Sequence, residues 1–146
     1  MADVLDEVTS EKITKDHVTK RVEDWVHRLN ALYDLVESWL PSGWRADRRR
    51  VVLMDEEMMR KFGVSPREIP VLDLNSADGR GATLEPRGLW IIGTNGRVDL
   101  FVGRKHHLIV DIAQNFAIPK WRIASFHNRD NIEDLSRKNF VAALTA

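Results

Sequence analysis

The stretch VTKRVEDWVHRLNALYDLVESW, residues 18–39, places apolar side chains at Val18, Val22, Trp25, Leu29, Leu32, Val36 and Trp39. The spacings alternate four and three without a break, so all seven project from one side of a helix and must be buried against something. Ser10 is suited to cap the start, and Pro41-Ser42-Gly43 cannot continue a helix, which predicts a single helix over residues 10–40. Asp16 to Lys20, Lys20 to Asp24 and Asp24 to Arg28 are opposite charges at i,i+4 spacing and fit its outer surface. Val26, Tyr33, Leu35 and Leu40 widen the apolar stripe toward its C-terminal end, whereas Arg21 and Arg28 keep the first half narrow. A helix of about thirty residues spans ~45 Å, and a compact body of about a hundred residues has a radius of gyration of only ~13 Å. The expectation is an overhang, with Val18, Val22, Trp25 and Leu29 covered by a second copy in a homo-oligomer.

Beyond the helix, residues 89–113 carry the strongest strand signals. Thr94-Asn95-Gly96-Arg97 reads as a type I′ hairpin turn, because Asn and Gly tolerate positive φ at both central positions. A three-residue reversal at Gly103-Arg104-Lys105 then pairs Phe101 with His107, Leu100 with Leu108 and Arg97 with Asp111. This register collects Trp90, Phe101 and His107 in one cross-strand row on the face opposite the core, and Trp121–Ser125 adds a further strand that brings Arg122 nearby. Between helix and meander, residues 51–54 and 71–74 suit strands, and Asp55 can cap a brief helix over residues 56–62. Ser65-Pro66-Arg67-Glu68 has the form of a capping box, and residues 75–81 form a turn-rich loop. Asp130 with Glu133 opens a terminal helix through Leu144, whose Ile132 and Leu135 are placed to cover the aromatic row. The fold class is α+β: a long N-terminal helix packed on a mainly antiparallel meander, with a C-terminal helix, in one domain whose residues 1–9 are expected to be disordered.

Composition narrows the function classes. The 146 residues balance 22 basic against 22 acidic side chains, so no global field draws nucleic acid or anionic membrane. Cysteine is absent, which removes disulfides, thiolate catalysis and Cys-ligated metal. The opening MADVLDEVTSEK is acidic without an apolar run, so a signal peptide is not expected, and the expected location is cytoplasmic. His106 and His107 point to opposite faces of a strand, and His107 and Asp111 stand ~13 Å apart, so no metal site is expected from these residues or His127. Asp73, Asn75, Asp78 and Gly79 lack the bidentate glutamate of a calcium loop, and no glycine cluster opens a helix after a strand as phosphate cradles require. No cofactor is expected.

The reading that results is a non-catalytic, self-associating protein-interaction or regulatory module. Its recognition surface would be Trp90, Phe101, His107 and Arg122, since aromatic and arginine side chains dominate interface energy. Two alternatives stand beside it: a small nucleic-acid binder using Arg45, Arg48, Arg49 and Arg50, and an enzyme or ligand-binding protein with a pocket near Trp90, Phe101 and His107.

Overall fold

A computed structural model describes residues 13–146. Helix α1 (Lys15–Trp39) is capped by Thr14, whose side chain accepts a hydrogen bond from the His17 amide. Ser10 lies outside the described residues, and the cap role falls to Thr14. There follow β1 (Trp44–Asp47), β2 (Val51–Met54), a short helix α2 (Glu57–Lys61), β3 (Arg67–Pro70) and β4 (Leu72–Ser76). The remainder is β5 (Gly81–Gly88), β6 (Arg97–Val102), β7 (Lys105–Asp111), β8 (Trp121–Ser125), β9 (Asn128–Asp134) and α3 (Arg137–Thr145). Seven strands form one antiparallel sheet in the order β1-β4-β5-β6-β7-β8-β9, while β2 and β3 pair separately. The α+β class is as expected, with a long N-terminal helix, a meander and a C-terminal helix.

The two longer helices, α1 and α3, lie on the same side of the sheet. Ala82, Leu84, Val98, Leu100, Ile109 and Ile123 share one face and join Trp25, Leu29, Leu32 and Phe140 in a single core. Each such large apolar side chain contributes ~1.5–3 kcal/mol on full burial, which fixes α1 and α3 to this face and leaves the other without a helix.

The overhang is not found. Val18, Trp25 and Leu29 are 0% exposed and Val22 is 3% exposed within one chain, so none is available to a second copy. The described helix is 25 residues long, ~37 Å, and a sphere with a ~13 Å radius of gyration is itself ~34 Å across, so the body is long enough to cover it. The narrow half of the stripe is closed by Arg21 and Arg28 themselves, which are buried and point inward rather than to water. Arg28 Nη1 bonds Asp111 at 2.5 Å and its Nη2 donates to the Ala117 carbonyl, while Arg21 donates to Asn95 Oδ1 at 2.9 Å. The loops of residues 89–96 and 112–120 are thereby tied over the first half of α1.

Four local expectations are also corrected. Residues 65–68 open no helix: Arg67 and Glu68 belong to β3, paired with Met54 and Leu53. Residues 89–92 are not a strand, and Asn95-Gly96 is not a type I′ turn, because only Gly96 has positive φ. On its other side from β7, β6 pairs with β5 (Gly81–Gly88), a segment for which the sequence predicts no strand. The terminal helix starts at Arg137 under a Ser136 capping box, since residues 128–134 extend the sheet as β9.

The β6–β7 register differs by one residue from the expected one. Gly103-Arg104 is a two-residue turn with Gly103 at φ 58°, so Phe101 faces His106, Leu100 faces His107, and Arg97 faces Val110. A one-residue slip moves every side chain of a strand to the other face. His107 and Ile109 therefore go to the core side, and His106, Leu108 and Val110 to the open side.

Candidate functional site

The open face is ordered around a buried carboxylate. Asp99 is 1% exposed, and its oxygens accept from Arg97 Nε at 2.7 Å and Nη2 at 3.1 Å, with Arg87 Nε at 3.6 Å. His106 Nε2 lies 2.8 Å from Asp99 Oδ2, so the carboxylate fixes the imidazole orientation from below. A buried charge needs such partners, and here they come from β6 itself and from its neighbours β5 and β7.

Beside this cluster the rings of Phe101, His106 and Phe126 stack in a line. Their centroids are 4.5 and 4.3 Å apart with interplanar angles of 23° and 12°. Arg129 closes the line over Phe126 at 4.5 Å. Register explains it: Phe101 and His106 are cross-strand partners, and the Phe126 amide donates to the His106 carbonyl at 2.9 Å. Leu108, Val110 and Ala124 continue the face along β7 and β8, and Arg122 lies across from Val110, 3.3 Å from Asp134. Leu108 and Ala124 are buried yet stand outside the main core.

The row expected from Trp90, Phe101 and His107, with Arg122 nearby, is dispersed. Phe101 and Arg122 do lie on the open face. Trp90 sits in the loop after β5, under the Arg21 guanidinium at 5.6 Å, with its amide bonded to Glu56 at 3.0 Å. His107 faces the core side, where burial, then the nearby Lys105 and His106, push its imidazole below its ordinary value and favour the neutral form. His106, Asp99 and Phe126 are the residues that sequence reasoning missed. A signal existed at Gly103-Arg104, because glycine at the first central position suits a two-residue type II′ turn.

Asp111, expected opposite Arg97, instead serves Arg28, while its Oδ1 accepts from the Ala113 and Lys120 amides at 2.9 Å. The arginine cluster is largely neutralised. Arg48 bonds Asp34 at 2.6 Å and Glu37 at 3.1 Å and lies over the Tyr33 ring, Arg49 pairs with Asp47 at 2.6 Å, and Arg50 with Asp73 at 2.8 Å. The bonds from Arg50 and Thr83 hold the Asp73 carboxyl below its usual range despite partial burial. Only Arg45 of the four enters no ion pair among the described residues, which gives a phosphate backbone little purchase there. No helix among the described residues is long and apolar enough to cross a membrane.

Comparison of the chain with protein-family models, with curated proteins and with solved structures found no match.

Proposed function

We propose that the protein is a non-catalytic interaction module that self-associates through the open face of its sheet. The observation that carries this reading is the row Phe101–His106–Phe126 beside Leu108, Val110 and Ala124, on a face that neither helix covers. The face also carries both signs of charge, with Arg87 and Arg122 beside Glu85 and Asp134. A two-fold axis through it sets the arginines of one copy against the carboxylates of the other, as an isologous dimer requires. Zero net charge removes repulsion between copies. Self-association through Val18, Val22, Trp25 and Leu29 has no such support, since these side chains are already in the core.

Sedimentation equilibrium tests the reading. The expected outcome is a dimer mass at a concentration on the order of ten micromolar, and a monomer mass for Phe101→Ser with its melting temperature nearly unchanged. A wild-type monomer at that concentration sinks the proposal. So does a Phe101→Ser variant that loses ~3 kcal/mol or more of stability, because that is the signature of a core position.

A further inference from the structure

The row that holds Phe101 and His106 continues in the other direction, to the far edge of the sheet. Register sets Asp47, Asp73, Thr83, Phe101 and His106 opposite one another in turn on β1, β4, β5, β6 and β7. Cross-strand partners project to one face, so Phe101 and Asp73 stand two strand spacings apart, ~10 Å, with only the small Thr83 between them. His106 stacks on one face of the Phe101 ring. On its side away from β7 the ring borders a cavity of about 390 Å³ over β4 and β5, whose facing wall is Asp47, Asp73 and Asn75. Gly81, the partner of Asn75, and Gly103 also line it, and having no side chains they leave its floor open.

The lining selects a neutral ligand with one apolar face and several hydroxyls. Each carboxylate of the wall is matched by an arginine, Asp47 by Arg49 at 2.6 Å and Asp73 by Arg50 at 2.8 Å, so the lining offers no unpaired charge to an ion. Hydrogen-bonding capacity nevertheless remains. Asp73 accepts two bonds from Arg50 and one from Thr83, of the roughly four that a carboxylate can take. The exposed Asn75 amide is bonded to no other side chain among the described residues, and it offers both a donor and an acceptor. Across from these groups, the electron-rich face of Phe101 attracts the polarised C–H groups of a saturated ring. The volume lies in the lower part of the ~300–1,000 Å³ range of small-molecule pockets, which suits a mono- or disaccharide.

We propose that this cavity binds a neutral pyranose sugar, with one C–H face of the sugar ring on Phe101 and its hydroxyls bonded to Asp73 and Asn75 above Thr83. The cavity lies beyond Phe101, at the opposite end of the row from Phe126, and the assignment does not rest on self-association of the apolar part of the face.

Titration of the ¹⁵N-labelled full chain with methyl β-D-glucopyranoside and methyl β-D-galactopyranoside, followed by amide chemical shifts, tests the assignment. Sorbitol supplies hydroxyls without a ring face, and nicotinamide a flat aromatic ring without hydroxyls. The expected result is saturable shifts at Gly81, Thr83 and Gly103 with a Kd of ~10 mM or tighter for at least one glycoside, and binding of sorbitol about tenfold weaker or more. Asn75→Ala and Asp73→Asn should each weaken glycoside binding about threefold or more, as loss of a hydrogen bond does. Absence of saturable shifts with both glycosides at ~100 mM overturns the proposal. Sorbitol binding as tightly as the glycosides, nicotinamide binding more tightly, or full affinity in both variants overturns it equally. Sedimentation equilibrium on the same samples reads self-association separately: glycoside binding by a monomer overturns the dimer and leaves the sugar site standing.

Discussion

Gly96 stands against the helix with no room for a methyl group. A Cβ built there falls 2.1 Å from Trp25 Cζ3, and the residue's φ of 113° is strained for any L side chain. Gly96→Ala therefore has to displace the largest side chain of the core, and is expected to lower stability by about 2–5 kcal/mol, from overpacking and backbone strain together. A urea midpoint unchanged from wild type would show that Trp25 can move aside. The importance of Gly96 was legible in the sequence, but its reason was not: Asn95-Gly96 looks like a hairpin turn, and nothing local reveals a tryptophan seventy-one positions earlier closing on it. The histidines teach the same lesson from the other side. His106 and His107 are adjacent, and the length of the turn before them decides which one meets Phe101. A two-residue turn at Gly103 delivers His106 to the open face and His107 to the core side.

Among the elements, α1 shows what an amphipathic pattern does and does not say. The apolar spacing names the side that is buried, and every position of the stripe from Val18 to Val36 lies in the core. Charged side chains are rarely buried unpaired, so the pattern sets Arg28 on the outer surface and makes Arg21 and Arg28 the residues that narrow the stripe. They are buried because partners arrive from far along the chain, Asn95 for Arg21 and Asp111 for Arg28. Arg28 also bonds Asp24 at 2.6 Å and the Ala117 carbonyl, so a single guanidinium joins the helix, the end of β7 and the loop that follows. Arg28→Met leaves Asp111, 0% exposed, without its cation, and is expected to cost about 3–5 kcal/mol. Thermal melts that agree with wild type would mean that the Ala113 and Lys120 amides suffice to hold that carboxylate. Strand β5 was illegible for a different reason: Gly81, Pro86 and Gly88 read as punctuation. The ladder tolerates the proline because the register shifts between Pro86 and Gly88, and irregularities of this kind are where strands admit proline.

At the scale of the molecule, the one-sided arrangement of helices reverses the meaning of an experiment suggested by the stripe alone. An overhanging helix bearing Val18→Asp and Val22→Asp would give a folded monomer. In the observed fold both carboxylates would enter the core, where an unpaired charge costs several kcal/mol, so the double variant is expected to lose its cooperative thermal transition. A folded double variant would show that the first half of α1 detaches at little cost. The class and the order of layers could be inferred from periodicity, whereas the identity of the open face depended on one turn length that periodicity does not encode. The long reach of Arg28 to Asp111 also bears on how the chain is made. A ribosome delivers α1 before its partners; its C-terminal half meets β3 early, through Tyr33 and the Pro70 carbonyl, but its two inward arginines have no counterpart until Asn95, Asp111 and Ala117 have been synthesised. Strands β4 to β9 each pair with the next in sequence and can zip as they emerge, but the first half of the helix must wait for residues 95–117. During that interval α1 is the segment of the nascent chain that a chaperone would find.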